Sequence, residues 1–66
     1  MSLISVNGQS RPRTADTVGE LLQQLQLAES QVAVELNGTI VARESFSTTL
    51  LATGDRIEIV RFVGGG

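Results

Sequence analysis

The sequence predicts an α+β fold in which one helix lies across a mixed four- to five-stranded sheet. Two observations carry this prediction. The dipeptide Asn-Gly occurs twice, at Asn7-Gly8 and Asn37-Gly38, each time between two short strand-like segments, and the stretch between them has helical periodicity. The chain has 66 residues, of which 41% are hydrophobic and 18% charged, so it has the composition of a folded protein and room for a single domain.

The first element is a β-hairpin. Leu3–Val6 leads into Asn7-Gly8, a dipeptide that readily takes positive φ at both central positions of a type I′ turn. The second arm, residues 9–13, contains Pro12, which has no N–H to donate to a neighbouring strand. We therefore expect this arm to lie at an edge of the sheet.

A helix is predicted to follow the first hairpin. Thr17 and Glu20 fit a capping box, in which the Thr17 hydroxyl accepts from the Glu20 amide and the Glu20 carboxylate accepts from the Thr17 amide. Gly19 costs about 1 kcal/mol relative to Ala inside a helix; close packing against a strand would account for it, as would drift. Apolar side chains at i, i+3, i+4 and i+7 form a single stripe, and these are Val18, Leu21, Leu22 and Leu25.

The second hairpin consists of Val32–Leu36 and Thr39–Val41, with the second Asn-Gly pair as its turn. Residues 43–51 show no clean period and are predicted to contain one or two short turns. Three side chains are expected to anchor this stretch in the core: Phe46, Leu50 and Leu51.

Residues 56–63 are the most strand-like stretch of the chain. Ile57 and Ile59 alternate with charged residues, so one face is expected in the core and the other in solvent. If the strand continues, Val60 and Phe62 fall on the polar side and expose apolar surface there. The alternative is that Phe62 folds back onto the core.

Two antiparallel hairpins joined by a crossover helix, with the terminal strand inserted between them, form the β-grasp arrangement. One amphipathic helix covers one face of such a sheet. We predict a β-grasp domain over residues 1–63 and a flexible tail at Gly64-Gly65-Gly66.

Composition argues against several classes of function. The chain has no Cys, His or Lys, so disulfides and Cys/His metal sites are excluded, and only carboxylates remain as general bases. We expect a protein that is not an enzyme and holds no cofactor. A net charge of −2 argues against nucleic acid as a partner. The sequence contains no apolar run of ~18–20 residues, so we expect no membrane association and a cytoplasmic location.

The C-terminal carboxylate of Gly66 is the most unusual functional group. Three glycines carry it up to ~10 Å beyond Val63, on a tail slim enough to enter a narrow channel. Such a tail suits delivery of a carboxylate to another protein's active site; the alternative is a frayed terminus. Because a carboxylate is a poor electrophile, its covalent use requires activation, most economically as an acyl-adenylate made from ATP by a partner enzyme.

An apolar docking patch is predicted beside the tail. Val60, Phe62 and Val63 would form it, because exposed apolar surface near a reactive end suggests an interface.

The chain resembles the ThiS family of thiamine-biosynthesis sulfur carrier proteins, which are ubiquitin-like. The resemblance covers nearly the whole sequence, and the joint spacing of its motifs within 66 residues is specific. The segments that carry it are Thr17-Val18, Glu20-Leu21-Leu22, Leu36-Asn37-Gly38 and residues 41–44, 51–60 and 63–66.

The resemblance implies a cycle of sulfur transfer. An E1-like adenylating enzyme of the ThiF type uses ATP to convert the Gly66 carboxylate to an acyl-adenylate. A sulfur donor, a cysteine desulfurase or a rhodanese-like protein, then yields a thiocarboxylate, and a thiazole synthase of the ThiG type receives the sulfur for the thiazole ring of thiamine. Gly64 and Gly65 are the residues that would thread the partner's active site.

Three other functions are open from the sequence. One is the small subunit of molybdopterin synthase, which is also a thiocarboxylate carrier. Another is a ubiquitin-like modifier joined to target lysines through Gly66. The third is a passive binding domain with an incidental tail.

Overall fold

The structure is a computed structural model that describes residues 2–62. It contains five strands, one α-helix and two short 3₁₀ turns, at Glu29–Gln31 and Arg43–Ser45. The regular elements are β1 (Leu3–Val6), β2 (Gln9–Pro12), α1 (Val18–Gln24), β3 (Val32–Leu36), β4 (Thr39–Val41) and β5 (Arg56–Arg61). The predicted tail at residues 64–66, and Val63 before it, lie outside the described residues.

The five strands form one mixed sheet in the order β2-β1-β5-β3-β4. Each hairpin is antiparallel, and β5 lies between them, parallel to β1 and antiparallel to β3. This is the predicted β-grasp arrangement, with the terminal strand at the centre. Pro12 lies on the edge strand β2, as its missing N–H requires.

Both Asn-Gly pairs form the predicted turns. Asn7 and Gly8 have φ of 51° and 82°, and Asn37 and Gly38 have φ of 53° and 87°, as a type I′ turn demands. Each asparagine also bonds to the central strand. The side-chain amide of Asn7 accepts from the Ile59 N–H at 2.7 Å and donates to the Ile59 carbonyl at 3.2 Å.

A second set of bonds joins the other turn to the start of β5. The Asn37 side chain accepts from the Arg56 N–H at 2.9 Å and donates to the Asp55 carboxylate at 3.0 Å. The two turns therefore hydrogen-bond to β5, or to the residue just before it, from the strands on either side of it.

The N-terminus of α1 confirms half of the predicted capping box. The Thr17 hydroxyl accepts from the Glu20 N–H at 3.1 Å. The Glu20 carboxylate, however, accepts from the Asp16 N–H at 2.9 Å, so its predicted bond to Thr17 was wrong. The bond lies one residue earlier than predicted, where the Asp16 carbonyl also accepts from the Leu51 N–H beside the bridge between Thr17 and Leu50.

Gly19 packs against the segment that follows β4. Its N–H donates to the Phe46 carbonyl at 2.8 Å, and a Cβ at this position would lie 3.4 Å from that oxygen. Of the two explanations for this glycine, close packing is the one observed, but the close neighbour is a turn and not a strand.

The core lies between α1 and one face of the sheet, and it is aliphatic apart from Phe46. Its buried residues are Ile4, Val6, Ala15, Val18, Leu21, Leu22, Val32, Val34, Phe46, Leu51, Ile57 and Ile59.

The prediction that Leu50 anchors the core was wrong, because its side chain is 71% exposed whereas that of Leu51 is 5% exposed. The bridge to Thr17 keeps this backbone extended, and successive side chains of extended backbone point to opposite sides.

Within residues 2–62, no helix is long and apolar enough to cross a membrane.

Candidate functional site

The structure fixes the point at which the tail leaves the domain. The Phe62 N–H donates to the Gln31 carbonyl at 2.9 Å, so the ladder between β3 and β5 extends to the last described residue. The predicted site residues Val63, Gly64, Gly65 and Gly66 follow it and lie outside the described residues. The origin of the tail is therefore the end of the central strand.

Apolar side chains cluster at this point on the face of the sheet that α1 does not cover. Val60 is 61% exposed and Phe62 is 58% exposed, whereas Ile57 and Ile59 point to the core. Ala33 lies directly opposite Val60 on β3 and shares its face. We call Ala33, Val60 and Phe62 the tail patch. Its exposure is the outcome that strand parity predicted for Val60 and Phe62, and Phe62 does not fold back onto the core.

Charged residues border the tail patch on the same face. Glu35 and Glu58 are directly opposite each other on β3 and β5, and like charges in that position oppose pairing of the strands. Ile40, opposite Glu35 on β4, is 64% exposed but lies beyond the acidic pair. An apolar centre with a charged border is the arrangement of a protein–protein interface.

On the helix side of the sheet, a groove of about 510 Å³ lies beside the same end of β5. Val6, Ile59, Leu25 and Leu27 contribute apolar lining, and two arginines, Arg11 and Arg61, line it as well. We call this the arginine groove.

Arg11 and Arg61 lie far apart in the sequence. Strand register places both on the helix side of the sheet, because Arg11 pairs with buried Ile4 and Arg61 follows buried Ile59 by two positions. Side-chain alternation could have indicated that face, but not that the two arginines line one groove. Within residues 2–62, the salt bridge present joins Arg13 to Asp16 at 3.3 Å, and neither groove arginine takes part in one.

Among residues 2–62, no acidic residue lines the arginine groove. In the described part of the chain, no group of three or more acidic residues is placed to hold a metal ion. The described surface thus offers two kinds of contact beside the tail, an apolar one on one face and a cationic one on the other.

Comparison with known proteins identifies the family. The model of the ThiS family matches residues 4–66. A thiazole synthase of Paramagnetospirillum magneticum is 42% identical over 62 residues, which are 92% of this chain and 19% of that protein. The chain thus spans about a fifth of the length of the thiazole synthase that it matches.

Two further relatives match over their whole length or nearly so. The sulfur carrier protein ThiS of Bacillus subtilis is 38% identical over 66 residues, 97% of this chain and 100% of that protein. The crystal structure of the thiamine biosynthesis protein (ThiS) from Geobacter metallireducens superposes with a TM-score of 0.79 at 40% identity, over 97% of this chain and 99% of that one. On the family match and these similarities, the chain belongs to the ThiS family.

Proposed function

We propose that the chain is a sulfur carrier of thiamine biosynthesis and that the Gly66 carboxylate is the group that carries the sulfur. The observation that carries this proposal is the ThiS family match, which runs through residue 66 and therefore includes the terminus. In this role the chain is a protein co-substrate of other enzymes, and its own side chains take no part in bond formation.

The chemistry begins with activation of the terminus. An adenylating enzyme of the ThiF type joins the Gly66 carboxylate to AMP from ATP and releases pyrophosphate. A persulfide on the sulfur donor, a cysteine desulfurase or a rhodanese-like protein, attacks the acyl carbon and AMP leaves. A second thiol cleaves the resulting acyl disulfide, which frees the thiocarboxylate and leaves a disulfide on the donor.

The length of the segment after Phe62 limits how far from the domain a partner's active site can lie. Residues 63–66 follow Phe62, and an extended chain spans ~3.3–3.6 Å per residue, so the terminal carboxylate reaches at most about 14 Å beyond Phe62. A partner that reacts with Gly66 must therefore contact the domain close to the end of β5. The exposed tail patch at that end of β5 supports this contact.

The thiazole synthase relatives support a sulfur acceptor of the ThiG type. The thiazole synthase of Paramagnetospirillum magneticum includes a segment similar to nearly all of this chain. A polypeptide that contains both units keeps a carrier beside its acceptor. We infer that this chain makes the same encounter with a thiazole synthase.

Intact-mass measurement tests the proposal. The chain is co-expressed with a ThiF-type enzyme and a sulfur donor, and the expected product has one oxygen replaced by sulfur at Gly66. A ladder of lysine conjugates would instead indicate a ubiquitin-like modifier. Transfer of the sulfur to a molybdopterin precursor, and not to a thiazole synthase, would indicate a molybdopterin-synthase subunit. An unmodified chain in every condition would falsify the carrier role.

Deletion of Gly66 supplies the matched control. The deletion lies beyond the described domain, so the circular dichroism spectrum and the unfolding midpoint should stay the same. Adenylation, followed as release of pyrophosphate by the ThiF-type enzyme, should be lost. If the shortened chain is still adenylated at its terminus, Gly66 does not have the specific role proposed here.

A further inference from the structure

Strand β5 has an open edge at its tail end. It pairs with β3 along five register positions, from Ile57 to Arg61, but with β1 at only two, Arg56 and Ile57. The chain turns away from β5 at Asn7. The Asn7 side chain hydrogen-bonds to the N–H and the carbonyl of Ile59, the groups that a further residue of β1 would otherwise pair with.

The next backbone groups along this edge belong to Arg61. Backbone groups of alternate residues in a strand point to opposite neighbours. The Phe62 N–H points to β3, where it meets Gln31, and the Ile59 N–H points to Asn7. The N–H and carbonyl of Arg61 therefore point to the side of β1. Among residues 2–62, neither group has a hydrogen-bond partner on that side. Arg61 presents a strand edge that can accept another strand.

The arginine groove lies directly beside that edge. Its apolar lining, from Leu25, Leu27 and Ile59, accepts an aliphatic side chain, and Arg11 and Arg61 supply positive charge. The chain as a whole carries a net charge of −2, so a groove that residues 2–62 line with two arginines and no acidic residue is a local reversal of sign. Guanidinium groups favour carboxylates, which accept charge-assisted hydrogen bonds from them.

We propose that the arginine groove binds an extended, acidic segment of a partner protein, which adds to the Arg61 edge of β5 as a β-strand. The segment continues the line that β1 leaves at Asn7. Its backbone bonds to Arg61, while alternate side chains point into the groove. An aliphatic side chain contacts Leu25 and Leu27, and acidic side chains on either side of it contact Arg11 and Arg61. This surface is on the opposite face from the tail patch, and its occupancy does not depend on sulfur chemistry.

The probe is an acetylated and amidated peptide of sequence Asp-Ser-Val-Ser-Glu, whose first, third and fifth side chains share one face of a strand. It is titrated into the isotopically labelled chain and followed by the chemical shifts of backbone amides. Saturable shifts are expected at Asn7, Arg11, Leu27 and Arg61, with weaker binding at higher salt. The neutral peptide Asn-Ser-Val-Ser-Gln keeps the backbone and should bind at least about tenfold more weakly.

Matched charge variants separate a local effect from a change in net charge. The double variant Arg11→Gln/Arg61→Gln should weaken binding of the acidic peptide at least about tenfold. The variant Arg43→Gln/Arg56→Gln removes the same charge from residues that do not line the groove, and it should bind as the original chain does. All four side chains are exposed, so both variants should keep the amide spectrum of a folded protein.

Three results would overturn the proposal. One is the absence of saturable shifts, or shifts confined to the tail patch. Another is equal weakening by the two double variants, which would indicate unspecific attraction. The third is the same set of shifts with inorganic phosphate at similar concentration, which would indicate a simple anion site. None of these results bears on the mass of the Gly66 terminus, so the sulfur carrier role is tested separately.

Discussion

Asn7 connects the first turn to the central strand through two hydrogen bonds, and its φ of 51° favours a residue that tolerates the left-handed region. Asn7→Gly keeps the backbone conformation and removes only the side chain. We expect a loss of about 1–3 kcal/mol in the free energy of unfolding, because the Ile59 N–H is part-buried and loses its acceptor. Urea denaturation of the variant and of the original chain measures this difference in the free energy of unfolding.

Asn37→Gly is the control for that substitution. The bonds of Asn37 to Arg56 and Asp55 are exposed, so water replaces them at a smaller cost. An equal loss from the two substitutions would contradict the role given to Asn7.

Gly19 offers a stabilising substitution. Ala at this helical position gains about 0.5–1 kcal/mol over Gly, and its Cβ would meet the Phe46 carbonyl at 3.4 Å, an ordinary contact distance. We therefore expect Gly19→Ala to raise the denaturation midpoint. Gly19→Val adds branches toward Phe46 and should lower it instead. If both variants lower the midpoint, the space beside Gly19 is tighter than the structure indicates.

Single residues also show where prediction from the sequence ends. The turn conformations at Asn7-Gly8 and Asn37-Gly38 were predictable because only local backbone preferences decide them. The partner of the Glu20 carboxylate was not, because the N–H groups of Asp16 and Thr17 are neighbours and the capping motif alone does not choose between them.

At the scale of elements, the segment between β4 and β5 depends on partners elsewhere. The Phe46 carbonyl accepts from Gly19, the Thr49 carbonyl accepts from Val18 and the Leu51 N–H donates to Asp16. Its backbone is therefore held by hydrogen bonds to the start of α1, and the hydrophobic pattern of the segment itself does not indicate these bonds. The strands were predictable from local signals, namely the two Asn-Gly turns and the alternation within β5, whereas the choice between Leu50 and Leu51 required this tertiary bridge.

Leu51→Ala and Leu50→Ala form a matched pair within this segment. Leu51 is 5% exposed, so its truncation should cost about 2–5 kcal/mol. Leu50 is 71% exposed, and its truncation should change stability by no more than about 0.5 kcal/mol. A domain of 66 residues has only ~3–10 kcal/mol in total, so the Leu51 variant should melt far earlier in a thermal scan. A larger loss from Leu50→Ala would contradict the side-chain orientations in this segment.

For the whole molecule, the tail patch and the arginine groove differ in how far the sequence could predict them. The exposure of Val60 and Phe62 follows from parity within β5 alone. That Arg11 and Arg61 line one groove cannot be predicted from either strand alone, since β1 stands between β2 and β5.

Phe62→Asp tests the tail patch as an interface. Phe62 is 58% exposed, so the variant should fold normally and bind a ThiF-type enzyme at least about tenfold more weakly, as measured by calorimetry. Ile40→Asp is the control, because Ile40 is 64% exposed on the same face but lies on the far edge strand. Comparable weakening by both variants would mean that the interface extends over the sheet and is not centred on the tail.

The central place of β5 has a consequence for synthesis of the protein. Of the five described strands, the ribosome makes β5 after the other four, yet β1 and β3 have no common neighbour until it is made. A nascent chain that stops before Arg56 contains two hairpins and a helix whose apolar faces lack the strand between them. Folding must then wait for β5, because the core on the helix side of the sheet is complete only when Ile57 and Ile59 are in place. A chain truncated before Arg56 should therefore remain unfolded and open to proteolysis.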